Sequence, residues 1–182
     1  MARVYLSLGS NLGDRLAQLK QAVRRLRALT DVDVVAASPL YEAEPWESEP
    51  ERALHERSWY LNCAVAIETT LAPDALLAAL QRIEEELGRT RPPGTPEARR
   101  FVPRTLDIDI LVYGTRVVSV SDTLHIPHLL LHERAFVLRP LADLAPDLEH
   151  PTLYRTVRDL LAELEDEHDV RPGDYPARWF ED

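Results

Sequence analysis

The sequence predicts an α+β fold, because its strand-like and helix-like segments follow one another in a specific order. Apolar and polar residues alternate as in strands within "RVYLSLGS", "VDVVAASPLYEAEP", "WYLNCAVAIETT" and "LDIDILVYG". A helical stripe follows the first of these segments, and another follows the third. The resulting order β-α-β-β-α-β is that of a ferredoxin-like sandwich, a mainly antiparallel sheet with helices on one face. The other face is then open and can bind a ligand.

Two helices are predicted from apolar residues that recur at helical spacing. The stripe of the first helix consists of Leu16, Leu19, Val23 and Leu26. The stripe of the second consists of Leu76, Leu80, Ile83 and Leu87. Asp14 is a candidate N-cap of the first helix, Pro73 suits the first turn of the second, and Gly88 suits its end.

The last third of the chain has weaker patterns. The segment "TRVVSV" after Gly114 is predicted to return as the hairpin partner of the preceding strand. Residues 132–146 are expected to be a short helix or irregular, and residues 168–182 to be an acidic and aromatic tail. A further helix is expected from the stripe Val157, Leu160, Leu161 and Leu164.

Length and composition favour one domain with a small-molecule partner. The 182 residues are 45% hydrophobic and contain no linker-like stretch, so a single domain, 1–182, is expected. A net charge of −10 argues against nucleic acid and anionic membranes, whose phosphates are also negative. The single cysteine, Cys63, cannot form an internal disulfide, and no segment resembles a signal peptide or a membrane span. We therefore expect a cytoplasmic protein, and we expect it to be a monomer.

Asp107 and Asp109 form the most informative local pattern. They are predicted to share one strand face with Leu111 and Tyr113, and the opposite face is predicted to carry Leu106, Ile108, Ile110 and Val112. Residues i and i+2 on a strand lie about 6.5 Å apart. Two negative charges at that separation repel by about 2 to 3 kcal/mol at an effective dielectric near 20. A pair of solvated surface charges is one explanation, and a binding site for cations is the other.

Arginines shortly before the two aspartates favour the binding site. They are Arg89, Arg91, Arg99, Arg100 and Arg104. Carboxylates bind divalent cations such as Mg²⁺ and arginines bind phosphate oxygens, so together they suit a nucleotide phosphate. Two metal ions about 3.5 to 4 Å apart can hold the attacking and leaving oxygens of an in-line displacement.

Other features allow more than one interpretation. "LGSNLGDR" lacks the P-loop pattern and is consistent with a tight turn followed by a helix cap. His128 alone is more typical of a structural histidine, and Cys63 of a small buried hydrophobe. Trp46, Phe101 and Phe136 can belong to the core or can stack on a planar ligand.

Four motifs, in this order and spacing, resemble those of the 6-hydroxymethyl-7,8-dihydropterin pyrophosphokinase family of folate biosynthesis. They are "LGSNLGDR", "YLNCAVAIET", "RTLDIDILVYG" and "IPHLLLHERAFVLRPLADLAPDL". The resemblance implies a ferredoxin-like enzyme that moves a pyrophosphoryl group from ATP to the hydroxymethyl oxygen of the reduced pterin and releases AMP.

The resemblance also implies roles for individual residues. Asp107 and Asp109 would hold two Mg²⁺ ions, with Arg89 and Arg104 as further catalytic residues. The implied ATP-binding residues are Gln81, Glu84, Arg91, Arg100, Arg104, Ile110, His128 and Arg134. The implied pterin-binding residues are Ala43, Glu44, Trp46, Tyr60, Asn62, Phe101 and Phe136.

A few residues depart from the family pattern. Phe101 and Val102 stand where Trp-Gly is common, and Leu129 stands where an aromatic or basic residue is common. These departures support one alternative, a non-catalytic relative that binds a pterin or a nucleotide. A ferredoxin-like module for RNA or protein binding is a second alternative, and the acidic charge speaks against RNA.

Overall fold

The computed structural model describes residues 1–45, 59–89, 105–121 and 123–181 of the chain. Eight strands lie in these residues: β1 (Ala2–Ser10), β2 (Val32–Ala37), β3 (Tyr41–Ala43), β4 (Tyr60–Thr69), β5 (Asp107–Tyr113), β6 (Val118–Ser121), β7 (Leu124–Ile126) and β8 (Val170–Pro172). Six of them form one sheet in the order β5-β1-β4-β3-β8, with β2 also paired to β4. All its pairings are antiparallel, as the α+β prediction requires.

The second predicted strand is divided into β2 and β3, which pair with opposite ends of β4. The division falls at Pro39, which has no backbone N–H to donate to a strand ladder. The Ser38 hydroxyl donates to the Pro39 carbonyl (2.8 Å) and accepts from the Ala64 N–H (2.9 Å). The serine therefore keeps the two halves joined to β4 across the break.

Helices α1 (Arg15–Ala28) and α2 (Pro73–Glu86) cover one face of the sheet and confirm the predicted stripes. Asp14 caps α1 by accepting from the Ala17 N–H (2.9 Å). Gly88 follows α2 with a φ of 85°, a left-handed conformation that glycine adopts without strain. None of the helices in the described ranges combines the length and the apolar character needed to cross a membrane.

Two more helices, α3 (Ala135–Leu144) and α4 (Val157–Ala162), pack on the opposite face. Their buried side chains meet Leu111 of β5 and Ala64 of β4. The expectation that helices lie on one face only was thus incomplete. The part of this face that stays accessible is at the start of β5, where the Asp109 side chain is 43% exposed.

The alternation predicted for β5 holds as far as Leu111 and then reverses. Tyr5 of β1 pairs with Val112, whereas the next residue, Leu6, pairs with Ile110, so β5 contains a bulge. After the bulge, Val112 packs beneath α3 and Tyr113 enters the core beneath α1 and α2. The predicted faces of Val112 and Tyr113 were wrong because a bulge shifts the two-residue period by one.

The prediction that "TRVVSV" pairs with the aspartate strand was also wrong. Its residues contribute to β6, which pairs with β7 in a separate two-stranded sheet. The outer edge of β5 already has other partners: Ile108 donates its N–H to Glu84, and Leu111 accepts from the His128 N–H. A hairpin strand would have to displace both of these hydrogen bonds.

The described part of the tail, residues 168–181, packs back onto the domain. It adds β8 to the sheet beside β3, and Trp179 is 2% exposed within the core formed with α1 and α2. The indole N–H donates to the Ser38 carbonyl at 2.8 Å. The tail therefore covers the point where the second strand is divided.

We expect Cys63 to resist thiol reagents in the folded protein. The side chain is 1% exposed in the core, as predicted, and burial raises the pKa of the thiol. A colorimetric thiol reagent is expected to react with one equivalent per chain in denaturant and far more slowly without it. Rapid modification of the native protein, with circular dichroism unchanged, would contradict this burial.

Candidate active site

A row of polar side chains crosses the sheet on the face opposite α1 and α2. Asp107 of β5 pairs with Gly9 of β1, Gly9 pairs with Asn62 of β4, and Asn62 pairs with Tyr41 of β3. Neighbouring strands are about 4.8 Å apart, so the backbones at Asp107 and Asn62, two strands apart, are separated by about 10 Å. The row thus links a carboxylate to an amide at a spacing that fits a small planar ligand.

Gly9 is required for the position of Asn62. A Cβ atom at residue 9 would lie 2.6 Å from the Oδ1 atom of Asn62, well inside van der Waals contact. Asn62 is 3% exposed, so its amide lies flat over β1 instead of projecting from the sheet. The first glycine of "LGSNLGDR" therefore serves close side-chain packing, a role that the sequence analysis missed.

Asp107 and Asp109 lie on this face, as predicted. The Ile108 side chain between them is 4% exposed in the core on the other side. The Asp107 side chain is 19% exposed and that of Asp109 is 43% exposed, so both are accessible at the same end of β5. Asp109 pairs with Ser7 of β1 and thus continues the polar face next to the row.

Arg89 joins Asp107 to Glu84 of α2. One guanidinium nitrogen lies 2.6 Å from Asp107 Oδ1 and also contacts Glu84 Oε1. Glu84 is 2% exposed, and its Oε1 accepts the Ile108 N–H at 2.8 Å. A buried carboxylate needs such charged and polar partners, so Glu84 is suited to holding Arg89 beside Asp107.

His128 approaches the carboxylates from the turn after β7. Its Nδ1 accepts the Leu130 N–H at 3.2 Å, and its Nε2 lies 4.0 Å from Asp109 Oδ2. Burial, with the nearby positive charge of Arg134, lowers the pKa of His128 to about 4. The ring is therefore neutral at pH 7, and because Nδ1 accepts a hydrogen bond, the proton resides on Nε2. Nε2–H can donate to an anionic oxygen beside Asp109.

Arg134 and Phe136 lie at the start of α3, above the row. The guanidinium carbon of Arg134 is 5.6 Å from the centre of the Phe136 ring, within range of a cation–π contact. Phe136 is half-buried and packs against both Val170 of β8 and the core beneath α3. This contact brings a positive charge and an aromatic surface to the same side of the site.

Ala43, Glu44 and Tyr60 lie at the other end of the row. Ala43 of β3 pairs with Tyr60 of β4, and the Ala43 side chain is 1% exposed. Glu44 donates its N–H to the Asp169 carbonyl (3.0 Å), and its Oε2 accepts the Asp169 N–H (3.0 Å). The strand pair is thus attached to the segment that leads into β8.

Two residues of the predicted ATP set lie away from the row. The Ile110 side chain is 5% exposed in the core beneath α1 and α2, so only its backbone can meet a ligand. Gln81 is half-buried on α2, about one turn before Glu84. The remaining predicted site residues lie outside the described part of the chain: Trp46, Arg91, Arg100, Phe101 and Arg104. The neighbouring Arg99 lies outside it as well.

Asp107 and Asp109 are the described carboxylates suited to a divalent cation at this face. Within the described ranges, no three His, Cys, Asp or Glu side chains are grouped closely enough to hold a metal by themselves. Two carboxylates are nevertheless what Mg²⁺ commonly takes from a protein when phosphate oxygens and water complete its coordination. The donor set therefore fits a metal that arrives with a nucleotide.

Comparisons of this chain with a family model and with individual proteins all indicate the same family. The family model described as 7,8-dihydro-6-hydroxymethylpterin-pyrophosphokinase matches residues 5–146. A 2-amino-4-hydroxy-6-hydroxymethyldihydropteridine pyrophosphokinase from Methylorubrum extorquens is 45% identical over 165 residues, covering 91% of this chain and 95% of that protein. A protein of the same name from Pseudomonas aeruginosa is 42% identical over 149 residues, covering 82% and 84%.

Longer proteins contain the same unit. The folic acid synthesis protein fol1 of Schizosaccharomyces pombe is 40% identical over 162 residues, which are 88% of this chain and 20% of that protein. An HPPK-DHPS crystal structure from Plasmodium falciparum superimposes with a TM-score of 0.65 at 16% identity, covering 89% of this chain and 45% of that one. This chain thus spans less than half of these longer proteins, and the structural match supports the fold.

Proposed function

Since this chain belongs to the 7,8-dihydro-6-hydroxymethylpterin-pyrophosphokinase family, we propose that the polar row on the sheet face opposite α1 and α2 is the site of that family's reaction. The chain is an enzyme of folate biosynthesis that transfers pyrophosphate from ATP to the hydroxymethyl group of 6-hydroxymethyl-7,8-dihydropterin. The observation that carries the assignment is the strand pairing that aligns Asp107, Gly9 and Asn62. The row has the Asp107 carboxylate at one end, where metal-bound phosphates can lie. The Asn62 amide at the other end can form hydrogen bonds with a heterocycle.

Asp107 and Asp109 are the proposed metal ligands. Two Mg²⁺ ions held there would neutralise phosphate charge and favour an in-line displacement at phosphorus. The aspartates supply negative charge at the strand end, where their mutual repulsion is relieved by the cations. Arg89, fixed by the buried Glu84, keeps a positive charge beside Asp107 and can pair with a phosphate oxygen.

The ATP side of the site is completed by positive and neutral donors. His128 Nε2–H and the Arg134 guanidinium are the proposed phosphate contacts among the described residues. Gln81 and the Ile110 backbone are proposed to lie near the nucleotide, with Glu84 acting through Arg89. Further contacts are assigned by family resemblance to Arg91, Arg100 and Arg104.

The pterin side is proposed to be at Asn62. A primary amide offers both donors and an acceptor, which match the donor and acceptor edge of a reduced pterin. Phe136 supplies a face for ring stacking, with Phe101 assigned to the opposite face by family resemblance. Tyr60, Ala43, Glu44 and Trp46 are proposed to shape the rest of the pocket.

In the proposed reaction, the pterin hydroxymethyl oxygen attacks the β-phosphorus of ATP. A bond forms between that oxygen and the β-phosphorus, and the bond from the β-phosphorus to the α,β-bridging oxygen breaks. AMP leaves with the bridging oxygen, and the hydroxyl proton passes to solvent water. The protein has little covalent chemistry to perform, so the rate depends mainly on alignment of the substrates and neutralisation of phosphate charge. The chain's own part is to hold the two substrates on one polar row.

The test is to identify the nucleotide product. Incubation with ATP, Mg²⁺ and the reduced pterin is expected to give AMP and pterin diphosphate in equal amounts. Omission of the pterin, or addition of a chelator, is expected to abolish AMP formation. Binding of both ligands with no AMP would favour the non-catalytic alternative, and ADP as the product would contradict attack at the β-phosphorus.

We also propose that the chain acts as one domain, as a monomer in the cytoplasm. In support, the described part of the tail from 168 contributes a strand and a core side chain to the same sheet as the site. Light scattering coupled to size exclusion tests the monomer, and a mass near twice 20.7 kDa would contradict it.

A further inference from the structure

Glu42 of β3 is the centre of a hydrogen-bond cluster on the side of the sheet that α1 and α2 cover. Its carboxylate accepts two hydrogen bonds from Arg15 (2.7 and 3.0 Å) and one from the Tyr175 hydroxyl (3.1 Å). Its strand neighbours Tyr41 and Ala43 pack on the other side, against the start of α3. Glu42 is therefore directed away from the ligand face and cannot touch a ligand bound there.

Arg15 extends the cluster to the beginning of β4. The same guanidinium nitrogen that contacts Glu42 donates to the Trp59 carbonyl at 2.9 Å. Trp59 precedes Tyr60, and Glu42 precedes Ala43, so Arg15 bonds to both strands beside the Ala43–Tyr60 pair. The Arg15 and Glu42 side chains are 27% and 22% exposed, so solvent only partly screens the pair.

The C-terminal tail also contacts this cluster, through Arg171 and Tyr175. Arg171 of β8 pairs with Glu42 in the sheet, and its guanidinium carbon is 4.5 Å from the centre of the Trp59 ring. Tyr175 follows a few residues later and supplies the hydroxyl to Glu42. Four parts of the chain, namely α1, β3, the start of β4 and the tail, thus converge beneath one end of the polar row.

We propose that Glu42 is a positioning residue for the pterin, acting with Arg15 and Tyr175 to fix the strand ends that carry Ala43 and Tyr60. This inference rests on the proposed pterin site. The bidentate pair sets the orientation of β3 relative to β4, and a ligand held between precise contacts loses affinity when its supports shift. ATP is proposed to bind at the β5 end of the row, two strands from β4 and three from β3, and is not expected to sense the change.

The test compares substrate constants in Glu42→Gln. We expect KM for the pterin to rise about tenfold, with kcat and KM for ATP changed less than about twofold. The dissociation constant for the pterin, measured by its fluorescence without ATP, is expected to rise in parallel. Arg15→Lys keeps the charge but loses the bidentate geometry, so it is expected to act in the same direction.

Glu68→Gln is the matched control. It breaks a guanidinium–carboxylate pair with Arg3 (2.6 Å) at the opposite end of β4. We expect it to leave both KM values unchanged. If Glu42→Gln does not fold, Tyr175→Phe removes only the hydroxyl and is expected to raise KM for the pterin about two- to threefold.

Two outcomes would overturn the inference. A Glu42→Gln protein with a lowered melting temperature and a wild-type pterin KM would show a merely structural pair. Equal increases in both KM values would show a general distortion of the site. Failure of the proposed function is recognised separately, since the wild-type protein would then give no AMP.

Discussion

Asp107→Asn is expected to lower kcat by about 10³-fold while the protein stays folded. Asparagine has the same shape, but it lacks the charge that binds a divalent cation and offsets the phosphate oxygens. The fold is expected to persist because the side chain is partly exposed and because Arg89 keeps its contact with the buried Glu84. We therefore expect the substitution to change kcat and to leave the stability of the fold largely unchanged.

The measurement is AMP release at saturating ATP and pterin, together with a thermal melt. Asp109→Asn is expected to behave similarly, and a higher Mg²⁺ concentration is expected to recover part of the activity in both variants. Asp147→Asn is the control, since it changes a carboxylate paired with Arg158 (2.7 Å) whose side chain is 81% exposed. Near wild-type turnover in Asp107→Asn would remove the basis of the proposed metal site.

Trp179→Ala is expected to lower the free energy of unfolding by about 3 to 5 kcal/mol. The side chain is 2% exposed within the main core, and its indole N–H donates to the Ser38 carbonyl. Truncation leaves a large cavity and a carbonyl without its partner at the point where β2 and β3 separate. Such a loss is a large part of the total unfolding free energy of about 5 to 15 kcal/mol that is typical of folded domains. Activity at elevated temperature depends on that free energy.

Urea denaturation followed by circular dichroism measures this loss. Trp179→Phe keeps most of the volume and is expected to be intermediate. Val120→Ala, at a side chain that is 80% exposed, is the control and is expected to change stability by less than about 0.5 kcal/mol. A change below about 1 kcal/mol in Trp179→Ala would show that the tail is not part of the cooperative core.

The order of elements could be predicted because it rests on local periodicity. The stripe of α1 and its cap at Asp14 depend on residues a few positions apart, and they are found as expected. The bulge at Leu111 and the division at Pro39 break a period that the pattern assumes to be uniform. The location of α3 on the second face depends on tertiary packing, which no local pattern contains.

The candidate site shows the same limit. Asp107 and Asp109 could be placed on the open face from alternation alone. Gly9 could not be connected with Asn62, because their contact arises from the pairing of strands more than fifty residues apart. Nor did the sequence indicate the partners of Glu42, since all of them belong to other elements. Helical spacing put Glu84 on α2 but gave no sign that its carboxylate is buried against β5.

β5 is the terminal strand of its sheet, and such strands can recruit a second molecule by extending the hydrogen-bonded ladder. Here Ile108 N–H is occupied by the Glu84 carboxylate, and Leu111 C=O is occupied by the His128 N–H. An incoming chain would have to expel both, and expulsion of Glu84 would strand a buried negative charge. The arrangement that orients Arg89 thus also protects this enzyme from aggregating through β5.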